Sequence, residues 1–250
     1  IEKGDLNFSP EELEEHLQKN PKIKSVIIQN TLGYPCKVEQ ISKICEEYNL
    51  ILIEDLAHSV GTTYQSGLEA GTIGDITVLS FSQDKMIDAV SGGALIVRKN
   101  LSNNQGIHSA HLQGVQIQNQ IIDRLYPLLT YLIRNTYPIF LGRIIHFFLR
   151  SFKLLSEPMA NDDNKIHTFP AWYCNLINSS FSKLSENLIH RRKIAAIYAE
   201  LINPKILSPR ILRDINLSSN LRFPIFVNNR PALIKFLKSY HMHVPDIWYD

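Results

Sequence analysis

Cysteine is scarce: Cys36, Cys45 and Cys174 are all the chain has in 250 residues. Three so widely scattered exclude a disulfide framework or a zinc site, and each reads as a small apolar residue in a reducing, cytoplasmic setting. Charge of one sign is missing too. The 26 Lys and Arg nearly cancel the 24 Asp and Glu, leaving a formal charge of +2, so no global field points to nucleic acid as a partner. No uncharged run is long enough to span a bilayer, and no basic segment leads into an apolar one at the start. Repeats and low-complexity tracts are absent. The chain opens on Ile1 with no start signal and stops at Trp248-Tyr249-Asp250 with no closing element, so the expectation is a piece of something longer. What is present suffices to bury one large core and part of another.

Ser9-Pro10-Glu11-Glu12 is a capping box with Pro at the first helical position, and it predicts a short helix carrying Leu13 and Leu17 and ending near Asn20-Pro21. Ser25 to Gln29 is an apolar run that suits a strand buried on both faces. From Val38 to Tyr48 apolar residues recur at helical spacing, and Leu50 to Ile53 is a second buried strand. Strand, helix, strand predicts a right-handed unit with parallel strands. A glycine-containing loop, Gly61 to Gly74, precedes a third run, Ile76 to Phe81. A fourth, Ala94 to Val97, follows Gly92-Gly93 with no room for a helix, so the last two strands are expected to be antiparallel neighbours.

Beyond a short polar linker at Ser102 to Gln105, the texture changes from Ile121 to Leu155. Leu, Ile, Phe and Tyr dominate, and Pro127 and Pro138 are expected to break the stretch into helical pieces. In the last piece Arg143, His146, Arg150 and Lys153 share one helical face. This basic amphipathic segment either packs against the body or a second subunit, or docks through 139–155 on an anionic membrane surface. Past a polar connection from Pro158 to His167, a long helix is expected from Phe181 to Leu201, then a strand from Leu221 to Val227 and a helix from Pro231 to Tyr240.

Ligands gather at the carboxyl ends of strands in open α/β sheets, and Asp55 stands there, with Glu54 pointing to the opposite side. Asp55 is either a cofactor partner or a turn Asp. Lys85 follows the third strand by four residues. A lysine poised at a buried strand end loses its proton more readily than a surface one, as an amine nucleophile must; most such lysines are merely solvated. Ser80 is a phosphate hydroxyl or an ordinary strand Ser. Gly92-Gly93 is a close backbone approach or a simple turn.

The ordered set Ile53-Glu54-Asp55-Leu56-Ala57-His58-Ser59-Val60-Gly61, Gly74-Asp75, Ser80-Phe81, Lys85 and Gly92-Gly93 resembles the DegT/DnrJ/StrS family of pyridoxal-phosphate-dependent sugar aminotransferases. Asp5-Leu6-Asn7 with Ser9-Pro10, and the run Val26 to Pro35, match upstream in the same order. Looser matches follow at Arg191-Arg192, Ala195-Ala196, Tyr198 and Leu201, and at Phe223-Pro224 with Arg230.

The resemblance implies an α/β fold of the fold-type I class: a mainly parallel sheet with flanking helices in residues 1–110, part of the large cofactor domain. A helical, basic connecting segment would fill 111–160, and 161–250 would be part of a smaller α+β domain. It implies pyridoxal 5'-phosphate as cofactor. Lys85 would form a Schiff base with it and shuttle a proton, Asp55 would pair with its pyridine nitrogen, and Ser80 would bind its phosphate. His58 stands where the family usually has Gln, near the ring hydroxyl, or else is a structural core histidine. Tyr34 would line the pocket or simply pack.

The implied reaction moves an amino group, usually from glutamate as amino-acid donor, onto the keto group of a nucleotide-linked sugar substrate for polysaccharide biosynthesis. The enzyme would be a cytoplasmic homodimer with its sites at the subunit interface. The family's N-terminal part would precede Ile1, so this chain would hold one half of a site. Its Asn-Tyr-Arg motif is not recognisable near Asn164 to Phe169. The competing expectation is a non-catalytic relative acting as an oligomerisation or membrane-surface docking module.

Overall fold

Ser9 decides where the first helix begins. In the computed structural model, which describes residues 6–98, 112–156, 167–240, 242 and 244, its Oγ accepts from the backbone N–H groups of Glu11 and Glu12 at the head of α1, Pro10–Lys19. Those are two of the donors that a helix start leaves without an internal partner. The helix ends at Asn20, as expected. Then come β1 (Ser25–Gln29), α2 (Val38–Glu47), β2 (Ile51–Asp55), β3 (Ile76–Ser80) and β4 (Gly93–Val97). These four strands form one sheet in the order β1-β2-β3-β4. Strands β1, β2 and β3 are parallel and β4 runs antiparallel to β3, so the topology expected from the spacing is the one observed.

Leu13 and Leu17 of α1 and Val38, Ile41 and Cys45 of α2 bury one face of β1 and β2 around Val26, Ile28 and Leu52. Each such side chain contributes roughly 1.5–3 kcal/mol on leaving water. The opposite face of β1 departs from expectation. Ser25 and Ile27 are exposed, Ile27 at 64%, because β1 is an edge strand among the described residues and nothing described there covers its second face. Cys36 and Cys45 are buried free thiols, and burial pushes Cys45 up to about 11. Cys174 is also free but exposed.

Alternation along β2 sends Leu52 and Glu54 to the covered face and leaves Asp55 on the other. Glu54 is fully buried and accepts four hydrogen bonds. Oε1 takes the N–H groups of Ile73 and Gly74, and Oε2 takes Gly71 N–H and the Tyr64 hydroxyl, both at 2.7 Å. Tyr64 in turn accepts from Asn30 Nδ2 at 2.9 Å. Asp75 adds a bond from Leu52 N–H at 2.9 Å. The loop between β2 and β3 therefore closes around one carboxylate.

A two-residue strand β5 (Gln113–Gly114) leads to α3 (Ile117–Thr136) and α4 (Leu141–Ser151). Pro138 separates these helices as expected, but Pro127 does not break α3. It lies on the exposed side, and Thr130 Oγ bonds the carbonyls of Tyr126 and Pro127 in the turn that follows. Helix α3 is fixed to the body by Asp123, whose Oδ2 accepts from Ser91 Oγ at 2.8 Å and from the Tyr173 hydroxyl. Arg124 lies over the Trp172 ring at 5.0 Å.

After β6 (His167–Thr168), the long helix expected from Phe181 is two: α5 (Ala171–Ser182) and α6 (Leu184–Leu201), joined at the non-helical Lys183. Helix α7 (Pro209–Asp214) and the expected α8 (Arg230–Ser239) complete the order. No strand forms from Leu221 to Val227. Pro224 has no N–H for a ladder, and its neighbours bond singly, Arg222 N–H to Leu32 O and Phe226 N–H to Ile206 O.

The segment 217–222 is knit to the sheet. Ser218 Oγ donates to Gly33 O at 2.8 Å, Ser219 Oγ to His58 O at 2.9 Å, and Arg192 spans Ser218 O and Gly61 O. Gly33 has φ +96°, and a Cβ there would stand 2.2 Å from Ser219 Oγ. Asp5, the linker at 102–105, residues 164–166 of the Asn-Tyr-Arg position, the last six residues and the boundaries at 110/111 and 160/161 lie outside the described residues.

Replacing Glu54 by Gln puts an amide donor among donors and removes a charged acceptor. Glu54→Gln is expected to lose about 3 kcal/mol of stability, read as a lower urea midpoint; an unchanged midpoint would show that the loop does not depend on this carboxylate.

Candidate functional site

The carboxyl ends of β1, β2 and β3 set the site. Gln29 and Asp55 end neighbouring strands in direct register, and Gln29 Nε2 donates to Asp55 Oδ2 at 3.0 Å. Asp55 Oδ1 accepts from Ala57 N–H at 2.8 Å, which turns the chain away from the strand. Asp55 is thus both a turn Asp and a half-buried carboxylate at the sheet edge. A carboxylate has about four acceptor positions, so two bonds leave capacity for a further donor.

The turn carries His58 into a buried position. Its Nδ1 accepts from Leu32 N–H at 3.4 Å, which places the proton of the neutral ring on Nε2. Burial lowers its pKa to about 4, the positive charges of Lys85 and Arg222 push the same way, and Asp55 opposes them. His58 therefore packs like a core histidine while remaining in electrostatic range of Asp55 and Lys85.

Ser80 ends β3, with its Oγ 3.0 Å from Ser82 Oγ. Past it, the loop turns at Asp84 (φ +64°) and brings back Lys85, half-buried. Burial pulls the ammonium pKa below its ordinary value and Arg222 adds to this, against the pull of Asp55 and Asp84. Met86, Ile87 and Ala89 anchor the loop in a second apolar cluster with Phe81, Tyr173 and Leu221. Gly92-Gly93 is a close approach rather than a simple turn: a Cβ at Gly92 (φ +96°) would lie 2.0 Å from the Phe169 ring, and one at Gly93 2.5 Å from Leu79 O.

Asp55, His58 and Lys85 are mutually coupled, while Ser80 stands on the adjoining strand end. Tyr34 packs inside, its hydroxyl donating to Asn220 Oδ1 at 3.0 Å. Two participants were not singled out from sequence. Gln29 was discoverable, because the strand ends align it with Asp55. Arg222 was not, because its place depends on segment 217–222 folding back by 130 residues or more. Beyond Lys85 opens a cavity of about 640 Å³, and His190, Arg191, Arg222, Tyr198 and Asp88 line it. Arg191 donates to the carbonyls of Asn220 and Leu221 and so holds Arg222 at the rim.

Known proteins share this architecture. A stretch of 96 residues is 33% identical to GDP-perosamine synthase of Vibrio cholerae, covering 38% of this chain and 25% of that protein. Another, of 94 residues, is 37% identical to the putative pyridoxal phosphate-dependent aminotransferase EpsN of Bacillus subtilis, covering 36% and 24%. The crystal structure of a DegT DnrJ EryC1 StrS aminotransferase from Brucella abortus superposes with a TM-score of 0.64 at 18% identity, over 97% of this chain and 56% of that one. The chain thus spans about half the length of that solved relative, and shares its fold. The family model for DegT/DnrJ/EryC1/StrS aminotransferases matches residues 1–126, half of the chain and all four strands of the sheet, so the protein belongs to the DegT/DnrJ/EryC1/StrS aminotransferase family.

Proposed function

We propose that this chain carries the lysine-bearing half of a pyridoxal-phosphate-dependent aminotransferase that places an amino group, taken from an amino acid such as glutamate, on the keto group of a nucleotide-linked sugar. The observation that supports it best is the convergence of Asp55, His58 and Lys85 at the carboxyl edge of the parallel strands, with the Lys85 pKa lowered. The donor set fits the cofactor: a primary amine for its aldehyde, a carboxylate with spare acceptor capacity for its ring N–H, and the Ser80 hydroxyl for its phosphate. Once bound, pyridoxal phosphate supplies an electron sink beside the carbon that gains or loses a proton.

The chain's own residues divide the remaining work. Lys85 Nζ, whose pKa burial and Arg222 lower, would serve as nucleophile and then carry the proton. Asp55 would keep the ring nitrogen protonated and is itself oriented by Gln29 and Ala57. His58, neutral at physiological pH, offers Nε2–H as a donor without adding positive charge next to Lys85. The arginines of the adjoining cavity suit an anionic group of the substrate or donor. The same proposal holds the enzyme to be a cytoplasmic homodimer.

The test uses the full-length protein. Borohydride reduction after addition of pyridoxal phosphate is expected to leave a pyridoxyl group on the peptide containing Lys85. Lys85→Ala should lose the label and about a thousandfold in amino transfer, whereas a label on another peptide, or none, would refute the assignment. Asp55→Asn should weaken cofactor binding by about 2 kcal/mol, measured by titrating the cofactor's absorbance.

His58 generates a separate prediction. Its folded-state pKa of about 4 lies below the ordinary 6.5. Between those values the unfolded chain binds a proton that the folded one refuses, so stability is full above pH 6.5 and falls by about 3 kcal/mol as pH drops to 4. His58→Gln should flatten that part of the stability profile in urea melts at stepped pH. An equally steep fall in the variant would assign the acid sensitivity to other groups.

A further inference from the structure

Helix α4 exposes what a folded surface normally hides. Ile144, Phe147, Phe148 and Phe152 face solvent at three- and four-residue spacing, Phe147 at 67% and Phe152 at 69%. On the opposite side Gly142 is buried, and Ile145 and Leu149 are half-buried. The rings form a continuous row: Phe147 meets Phe148 edge-on at 5.8 Å, and Phe148 stacks on Phe152 at 6.4 Å. Contiguous apolar surface of this kind marks an interaction site.

The charges beside the row indicate its occupant. Residues 112–156 contain Arg124, Arg134, Arg143, Arg150 and Lys153, while Asp123 is their one acidic residue and is buried against Tyr173. Arg143 stands next to the row, 4.5 Å over the Phe140 ring and 5.1 Å over that of Tyr137. Lys153 follows the end of the helix and is exposed. Two copies meeting through this face would bring one cationic patch against another, with no exposed carboxylate of residues 112–156 to pair with it. No helix of the described residues is long and apolar enough to cross a membrane. A wedge of aromatic and aliphatic side chains with a cationic border, and with no exposed acid among residues 112–156, has the composition of a helix that lies in a lipid headgroup layer.

We propose that α4 docks this protein onto an anionic membrane surface, with Ile144, Phe147, Phe148 and Phe152 entering the headgroup layer and Arg143 and Lys153 meeting lipid phosphates. The docking helix is coupled to the rest of the chain. Gln83 Nε2 donates to Ser156 O at 3.1 Å just beyond α4, and Ser91 bonds Asp123 of α3, so both ends of the loop bearing Lys85 are tied to the helical pair. The proposal stands independently of the aminotransferase reading.

Sedimentation with vesicles of phosphatidylcholine alone, and of equal parts phosphatidylcholine and phosphatidylglycerol, tests it on the full-length protein. The protein is expected to pellet with the anionic vesicles, and added salt should release it. Arg143→Gln with Lys153→Gln should weaken partitioning about thirtyfold, at roughly 1 kcal/mol per cation. Phe147→Ser with Phe148→Ser should abolish it. All four positions are exposed, and an unchanged thermal midpoint confirms that each variant folds. Failure to pellet, or equal pelleting with neutral vesicles, would overturn the proposal. So would a Phe variant that turns a dimer into a monomer in light scattering while still binding vesicles, which would give the face to a second copy of the chain. Borohydride labelling at Lys85 is unaffected by these substitutions, so the two proposals fail separately.

Discussion

A buried carboxylate, that of Glu54, sets the geometry on which the rest depends. Leaving such a charge unsatisfied inside a protein costs several kcal/mol, and the chain meets that cost by wrapping the loop before β3 around it. Three backbone N–H groups and one hydroxyl satisfy its two oxygens. The loop can then take only one path, and β3 enters parallel to β2 with Ile53 opposite Ile76. Because side chains alternate along a strand, fixing Glu54 inward fixes Asp55 outward. The position of the candidate cofactor partner is thus decided by its neighbour.

The far segment of the chain is attached by polar rather than apolar contacts. Ser218, Ser219 and Asn220 are buried, and their bonds run to Gly33, Thr62, His58 and Tyr34. A greasy contact tolerates sliding, but a fully satisfied polar network has one low-energy arrangement. That selectivity matters here, because the same segment delivers Arg222 to the electrostatic surroundings of His58 and Lys85.

What sequence conveyed follows from this division. The four strands, their directions and the first two helices were legible because apolar runs and a capping box act over a few residues. Asp55, Ser80 and Lys85 were legible as strand-end residues, and the opposite orientation of Glu54 followed from alternation. The continuity of α3 through Pro127, the break at Lys183 and the missing strand at 221–227 were not. Each depends on whether water or a neighbouring segment takes a backbone group, and periodicity carries no record of that. Arg222 was hidden for the same reason.

The loop from Ser82 to Ser91 is where these constraints meet. Ile87 and Ala89 are fully buried beneath it, which fixes its floor. Ser91 and Gln83 tie its two ends to the helical pair, and Arg222 reaches Asp84 at 3.8 Å from the other side. The loop bearing Lys85 is consequently held from three directions, while the carboxylates of Asp55 and Asp84 pull the lysine's pKa up and the guanidinium of Arg222 pulls it down. Charges of both signs therefore oppose one another around the amine. Burial is the larger effect, and it sets the net direction downward. An amine lowered by burial gives up its proton more readily than a surface lysine, and moving Arg222 away would raise that pKa again.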